Sequence, residues 1–171
     1  MGRIMVPGLS LAAFTTLHVL ISLAAIASGI VVVAGMLRAD RLGGWTALFL
    51  ALTMLTSLTG FLFPIKGFTP ALGTGLISVA ILLVAPWALY GGHLNGAWRS
   101  VYVVCAVAAL YLNVLVLVVQ AFLKAAPLHA LAPYGSEPPF LVTETLALIV
   151  FVTLGFLALR RFYPPKPAPG L

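Results

Sequence analysis

The chain has 171 residues, of which 63% are hydrophobic and 7% are charged, and its mean hydropathy is +1.19. A soluble domain of this length needs far more polar surface, so the composition predicts an integral membrane protein in contact with a lipid bilayer. The formal charge of +6 does not indicate a nucleic-acid partner, because the basic residues lie at segment ends and in connections.

Five segments meet the length of about 20 mostly apolar residues that a membrane-spanning helix needs. They cover approximately residues 11–37, 45–64, 72–90, 100–123 and 139–159. The sequence therefore predicts an all-α integral membrane bundle of five transmembrane helices, forming a single domain over residues 1–171. We expect residues 1–10 to be a short N-terminal tether and the Pro-rich residues 163–171 to be a C-terminal tail.

The first span carries one stripe of small and polar residues on an otherwise apolar helix. Thr15, His18, Ser22, Ala25 and Gly29 follow one another at steps of three and four, which places them on one helical face. Membrane helices meet at such faces, because small side chains let the backbones approach and hydroxyls bond across. We expect this face to look into the bundle.

The second and fourth spans carry further polar side chains. Thr56, Ser57 and Thr59 lie in the second span, where their hydroxyls are able to bond to carbonyls of their own helix. Asn113 and Gln120 lie in the fourth span. A buried amide such as that of Asn113 is expected to bond to a neighbouring helix.

The last span contains Glu144, the residue that most needs a partner. A carboxylate within a membrane segment costs a few kcal/mol, so it faces protein or water. At about 1.5 Å of rise per residue, His18, Gln120 and Glu144 all fall roughly 6–12 Å inside the same membrane surface, and Ser57 and Thr59 reach that layer. The depths predict a polar layer in the outer half of the bundle, with His18 and Glu144 within bonding distance or one water molecule of each other.

Three interpretations of this layer stay open. In the first it only orients helix packing, with Asn113, Thr56 and Ser22 as further structural polar residues. In the second, His18 and Glu144 bind the head group of a quinone and exchange protons with it. Gln120, Ser57 and Thr59 are the further candidates for this site. In the third the carboxylate marks a proton or ion path.

The sequence gives little support to binding of haem or a metal, or to catalysis. Haem with two histidine ligands needs both at one depth, whereas His93 lies in a connection on the opposite side and His129 in an outer loop. His18 and Glu144 are too few ligands for a metal, unless His129 and Glu137 fold over the bundle. No nucleotide loop, zinc-protease motif or serine elbow is present, so we expect no metal, no cofactor other than a possible quinone, and no catalysis.

The basic residues predict the orientation. Six of them lie on the side of the membrane that holds the C-terminus: Arg38, Arg41, Arg99, Arg160, Arg161 and Lys166. The other side has three, Arg3, Lys66 and Lys124. The positive-inside rule then favours an N-terminus outside and a cytoplasmic C-terminus.

Four stretches, LHVLISLAAIASGIVVVAGML, TSLTGFLFP, ALYLNVLVLVVQAFLK and SEPPF, resemble those of small multi-helix inner-membrane proteins of proteobacteria. The resemblance extends over nearly the whole chain, implies a location in the bacterial inner membrane and brings no assigned activity. Short connections and small-residue faces favour an accessory or structural subunit of a larger membrane assembly, or self-association. The alternative is a quinone-binding or proton-handling protein that uses the polar layer.

Overall fold

A computed structural model describes residues 10–63 and 70–164. Most of the predicted tether and most of the predicted tail lie outside these residues. Within them every regular element is helical: α1 Leu11–Leu37, α2 Gly43–Gly60, α3 Pro70–Pro86, α4 Ala97–Lys124, α5 Ala126–Leu131 and α6 Pro138–Arg161.

The five predicted spans are confirmed as helices. α1, α2, α4 and α6 are each long and apolar enough to cross a membrane, and so is the span Leu72–Gly91, formed by α3 and the turn that continues it. The first span has the predicted bounds, whereas the fourth and fifth extend further at both ends. The short helix α5, which follows α4 after one residue, was not predicted.

The helix ends follow from local chemistry. The Ser10 hydroxyl accepts a hydrogen bond from the Ala13 N–H at 3.2 Å and so caps α1. Two prolines occupy the first turn of α6, where their missing N–H groups cost nothing. Beyond Pro86, α3 continues as a π-helical turn, Trp87–Gly91, in which the Gly92 N–H reaches back to the Trp87 carbonyl at 2.8 Å.

Helix α4 is the centre of the bundle. It contacts α1, α2, α3, α5 and α6, while α1 and α2 pack together as a hairpin. α6 packs mainly on α4, with a smaller contact to α1. We call the end of the bundle at which α1, α3 and α6 begin the His18 end, and the opposite end the Arg99 end.

The closely packed core lies towards the Arg99 end. Its largest fully buried side chains include Phe49, Tyr102 and Leu110. Gly29 allows this packing, since a Cβ there would stand 2.7 Å from Leu110 Cδ1 and 2.8 Å from Phe49 Cε2. The expectation that the small-residue face of α1 looks inward is thereby confirmed, because a larger side chain has no room there.

Ring contacts fix how α6 lies on α4. Phe122 meets Phe140 at 5.4 Å between ring centroids near the His18 end, and Tyr102 meets Phe162 at 5.9 Å near the Arg99 end. The two helices therefore run antiparallel along their whole length. This register determines the surroundings of Glu144.

The end of α6 is held by Arg99 of α4. Its guanidinium donates to the Leu159 carbonyl at 2.9 Å and to the Phe162 carbonyl at 3.2 Å, and it lies 4.1 Å from the centre of the Tyr163 ring. The last carbonyls of a helix have no partner within the helix, so a forked cation from a neighbour stabilises this end. We call these contacts the Arg99 clamp.

Candidate ligand-binding cavity

A cavity of about 620 Å³ opens among α1, α2, α3 and α4 in the half of the bundle nearer the His18 end. Its walls are mostly apolar, with a few polar side chains. Size and lining are those of small-molecule sites, which bury an apolar body and hold it through a few placed polar groups. Seven of the polar residues named from the sequence line it: Thr15, His18, Ser22, Thr56, Ser57, Asn113 and Gln120.

His18 is held in place by α2. Its Nδ1 lies 2.8 Å from Thr59 Oγ1, and its ring meets the Phe63 ring edge-on at 5.2 Å between centroids. The Thr59 hydroxyl in turn donates to the Leu55 carbonyl at 2.7 Å. Gly60 leaves room beside the imidazole, since a Cβ there would lie 3.9 Å from His18 Cε1. Thr59 therefore positions the imidazole that lines the cavity.

The serine hydroxyls are bonded to their own helices. Ser22 donates to the His18 carbonyl at 2.7 Å, and Ser57 donates to the Thr53 carbonyl at 3.0 Å. A hydroxyl that donates to its own helix still has lone pairs to accept with. These residues present acceptors to the cavity without needing a ligand for stability.

Asn113 joins two helices at the floor of the cavity. Its amide donates to the Thr53 hydroxyl at 3.2 Å, which links α4 to α2. Thr53 is fully buried. The geometry gives Asn113 a packing contact whether or not a ligand is present.

Gln120 and Lys124 offer hydrogen-bond donors on the side of the cavity that α4 forms. They stand one helical turn apart, so they share a face, and both line the cavity. The Gln120 side chain makes no hydrogen bond to the described residues, and none of the carboxylates among them lines the cavity. The polar end of the cavity therefore carries a free amide, an ammonium group and the imidazole of His18.

Glu144 does not belong to this group, and the predicted bond between His18 and Glu144 is wrong as a direct contact. Within the part of the chain that the structure describes, both carboxyl oxygens of Glu144 are buried without a hydrogen-bond partner. Phe140 of α6 lies beside Phe122 of α4, and the two helices are antiparallel. Glu144, four residues after Phe140, therefore lies at the level of Val118, four residues before Phe122. Val118 and Gln120 point roughly 200° apart around α4. Glu144 therefore has the predicted depth but lies on the far side of α4 from the cavity.

The outer loop provides no metal site within the described residues. No three His, Cys, Asp or Glu side chains among them are grouped closely enough to hold a metal ion. Glu137 instead accepts hydrogen bonds from the backbone N–H groups of Tyr134 and Ser136, each at 3.0 Å. Desolvation raises the pKa of the Glu137 carboxyl, but its bonds to backbone N–H groups outweigh this and hold the pKa below its ordinary value.

Sequence reasoning missed Lys124 as a lining residue, because a basic residue at a span end was taken only as a topology marker. Its spacing of four from Gln120 was the available signal. Arg99 was missed for the same reason, and no sequence pattern links it to the end of α6. No protein-family model matches the chain, and neither does any curated protein or solved structure.

Proposed function

We propose that the chain is a non-catalytic membrane protein that binds an amphiphile of the quinone type in the cavity among α1, α2, α3 and α4. The observation that carries the proposal is the cavity itself, about 620 Å³ in volume, where His18, Gln120 and Ser57 converge from three helices. Ligand sites in helical bundles form between helices in this way.

The lining divides into a polar end and an apolar remainder. Gln120 and Lys124 donate, and the His18 imidazole offers a ring nitrogen, so the oxygens of a ring-shaped head group find partners there. Apolar side chains such as Ile26, Val116 and Leu117 line the rest of the space. A quinone has this same division, with oxygens on a flat ring and an apolar tail.

The test is direct titration of the purified protein with a short-chain ubiquinol analogue, kept reduced under nitrogen and followed by calorimetry. We expect saturable binding at one site, weakened at least about tenfold in both His18→Leu and Gln120→Leu, since one lost hydrogen bond to a ligand amounts to about 1.4 kcal/mol. Thr153→Val is the matched control, because the Thr153 hydroxyl bonds only to the Ile149 carbonyl within α6. Absence of saturable binding, or equal binding by the His18 and Thr153 variants, would refute the proposal.

The proposed location is the bacterial inner membrane, with the N-terminus outside and the C-terminus in the cytoplasm. Its support is the charge bias at the two ends of the bundle. Five arginines lie in the terminal turns of helices or in the α1–α2 connection at the Arg99 end, Arg38, Arg41, Arg99, Arg160 and Arg161, whereas Lys124 ends α4 at the His18 end. Replacing Cys105 by serine and adding a cysteine at either terminus allows labelling with an impermeant maleimide in intact cells. Labelling of the N-terminal cysteine alone is expected, and labelling of the C-terminal cysteine alone would reverse the orientation.

A second candidate function, an accessory subunit of a membrane assembly, is favoured by Glu144. Its carboxyl oxygens have no partner among the described residues, and the side chain as a whole is partly exposed on α6. We infer that in the assembly the carboxyl turns to the membrane-facing side of α6, where a helix of another subunit that carries a donor would satisfy it. A bundle that exists alone gives no reason for a carboxyl without a hydrogen-bond partner, whereas a second subunit does.

Co-purification from the native membrane in a mild detergent tests this second candidate. We expect one partner subunit at fixed stoichiometry, lost in Glu144→Leu and retained in Thr143→Val, whose hydroxyl bonds only to the Pro139 carbonyl. A chain that purifies alone, or a partner that survives Glu144→Leu, would contradict it.

A further inference from the structure

We infer that Thr59 fixes the tautomer of His18, and that the cavity therefore selects head groups that donate a hydrogen bond, such as a quinol or phenol, over those that only accept. The inference rests on the proposed function, since it concerns the ligand of the same cavity. It adds a specificity-determining residue, Thr59, which acts through His18, and it names the ligand class as hydroxyl-bearing.

The Thr59 hydroxyl has a single proton to donate. Thr59 Oγ1 lies 2.7 Å from the Leu55 carbonyl oxygen, 3.1 Å from the Thr56 carbonyl oxygen and 2.8 Å from His18 Nδ1. Carbonyl oxygens only accept, and two oxygens 2.7 Å apart repel unless a proton lies between them. The Thr59 hydroxyl therefore donates its proton to a carbonyl of its own helix.

The proton between Thr59 and His18 must then come from the imidazole. His18 Nδ1–H donates to Thr59 Oγ1, which in turn donates to the Leu55 carbonyl, so that the two bonds run in one direction. In a neutral imidazole only one ring nitrogen carries a proton. Nε2 is consequently the acceptor, and it has no hydrogen-bond partner within residues 10–63 and 70–164.

A hydroxyl head group matches the polar end of the cavity. Its proton goes to His18 Nε2, and its oxygen accepts from Gln120 or Lys124, which offer donors from the α4 wall. A carbonyl or ether in the same place accepts from Gln120 and Lys124 but leaves Nε2 unpaired. A site built around a hydrogen bond rejects analogues that cannot make it.

The tautomer is tested by nitrogen-15 NMR of histidine-labelled protein at pH 8, where an imidazole is neutral. We expect His18 to show a protonated Nδ1 and an unprotonated Nε2 in the natural chain and in Thr59→Ser, which keeps the hydroxyl. In Thr59→Val the Nε2-protonated form should appear. Protonated Nε2 in the natural chain, or no change in Thr59→Val, would overturn the inference.

Selectivity is tested with a redox-inactive pair of probes, a 4-alkylphenol and its methyl ether, which differ only in the donated proton. We expect the phenol to bind at least about tenfold more tightly to the natural chain and to Thr59→Ser, equivalent to about 1.4 kcal/mol. In Thr59→Val this ratio should fall to about one. An unchanged ratio in Thr59→Val would overturn the role of Thr59.

The outcomes separate the two proposals. If the phenol and the ether bind equally to the natural chain, and His18→Leu abolishes both, the selectivity inference fails while the binding function stands. If neither probe nor any quinone analogue binds, the binding function fails and the selectivity inference fails with it.

Discussion

The Arg99 clamp predicts how firmly α6 is attached to the bundle. In Arg99→Ala the carbonyls of Leu159 and Phe162 lose donors at 2.9 Å and 3.2 Å, and the Tyr163 ring loses the cation above it. A hydrogen bond to a charged group contributes roughly 1.5–3 kcal/mol. Both bonds are part-buried, so we expect a total loss of about 2–4 kcal/mol in the free energy of unfolding.

The assay is unfolding in mixed micelles at increasing mole fraction of sodium dodecyl sulfate. Arg160→Ala is the matched control, because Arg160 lies 4.5 Å from the centre of the Phe156 ring, an exposed cation–π contact of about 0.5–1 kcal/mol. Arg99→Lys should fall between the two, since an ammonium group cannot reproduce the planar fork. Equal stability of Arg99→Ala and Arg160→Ala would refute the reasoning.

Three further predictions concern packing, pH and the link between helices, the first and last read out by the same unfolding assay. Gly29→Ala should cost about 1–3 kcal/mol, because its Cβ would meet Leu110 Cδ1 at 2.7 Å, whereas Gly44→Ala, with nothing within 4 Å, should cost nothing. The lowered pKa of Glu137 means that its bonds stabilise the loop above the ordinary carboxyl pKa and are lost as pH falls through the lowered value. The protection of its two donor amides against exchange, relative to the intrinsic rate at each pH, should therefore fall on acidification, and Glu137→Gln should show the lower protection already at neutral pH. Asn113→Leu should lower stability by about 0.6–1.7 kcal/mol through the lost bond to α2, and no loss would contradict a packing role.

Hydropathy and length were sufficient to predict the five spans. The starts of α1 and α6 could be predicted from Ser10 and from the two prolines of α6, because an N-cap and a first-turn proline both act on residues near them in sequence. The π-helical turn beyond Pro86 could not be predicted from the sequence, since it depends on which carbonyl accepts a hydrogen bond from each following N–H group.

The candidate site was predictable in depth but not in direction around the helices. Rise per residue places His18, Gln120 and Glu144 at one level, and the structure brings the first two to one cavity. Which side of α4 the last helix occupies depends on packing between spans, which sequence periodicity does not encode for a helix that is apolar on nearly every side. Glu144 was therefore assigned to a cavity from which α4 separates it.

The central claim is that the cavity holds the head group of an amphiphile next to His18. The most direct measurement is photolabelling of the protein in lipid nanodiscs with a 4-alkylphenol that carries a diazirine on the first carbons of its tail, followed by peptide mapping. We predict labels on the cavity walls, within residues 19–26 of α1, 72–78 of α3 and 112–121 of α4, and their loss in His18→Leu. Labels spread over the exposed face of α6, such as Leu146 and Ile149, and unchanged in His18→Leu would contradict the claim.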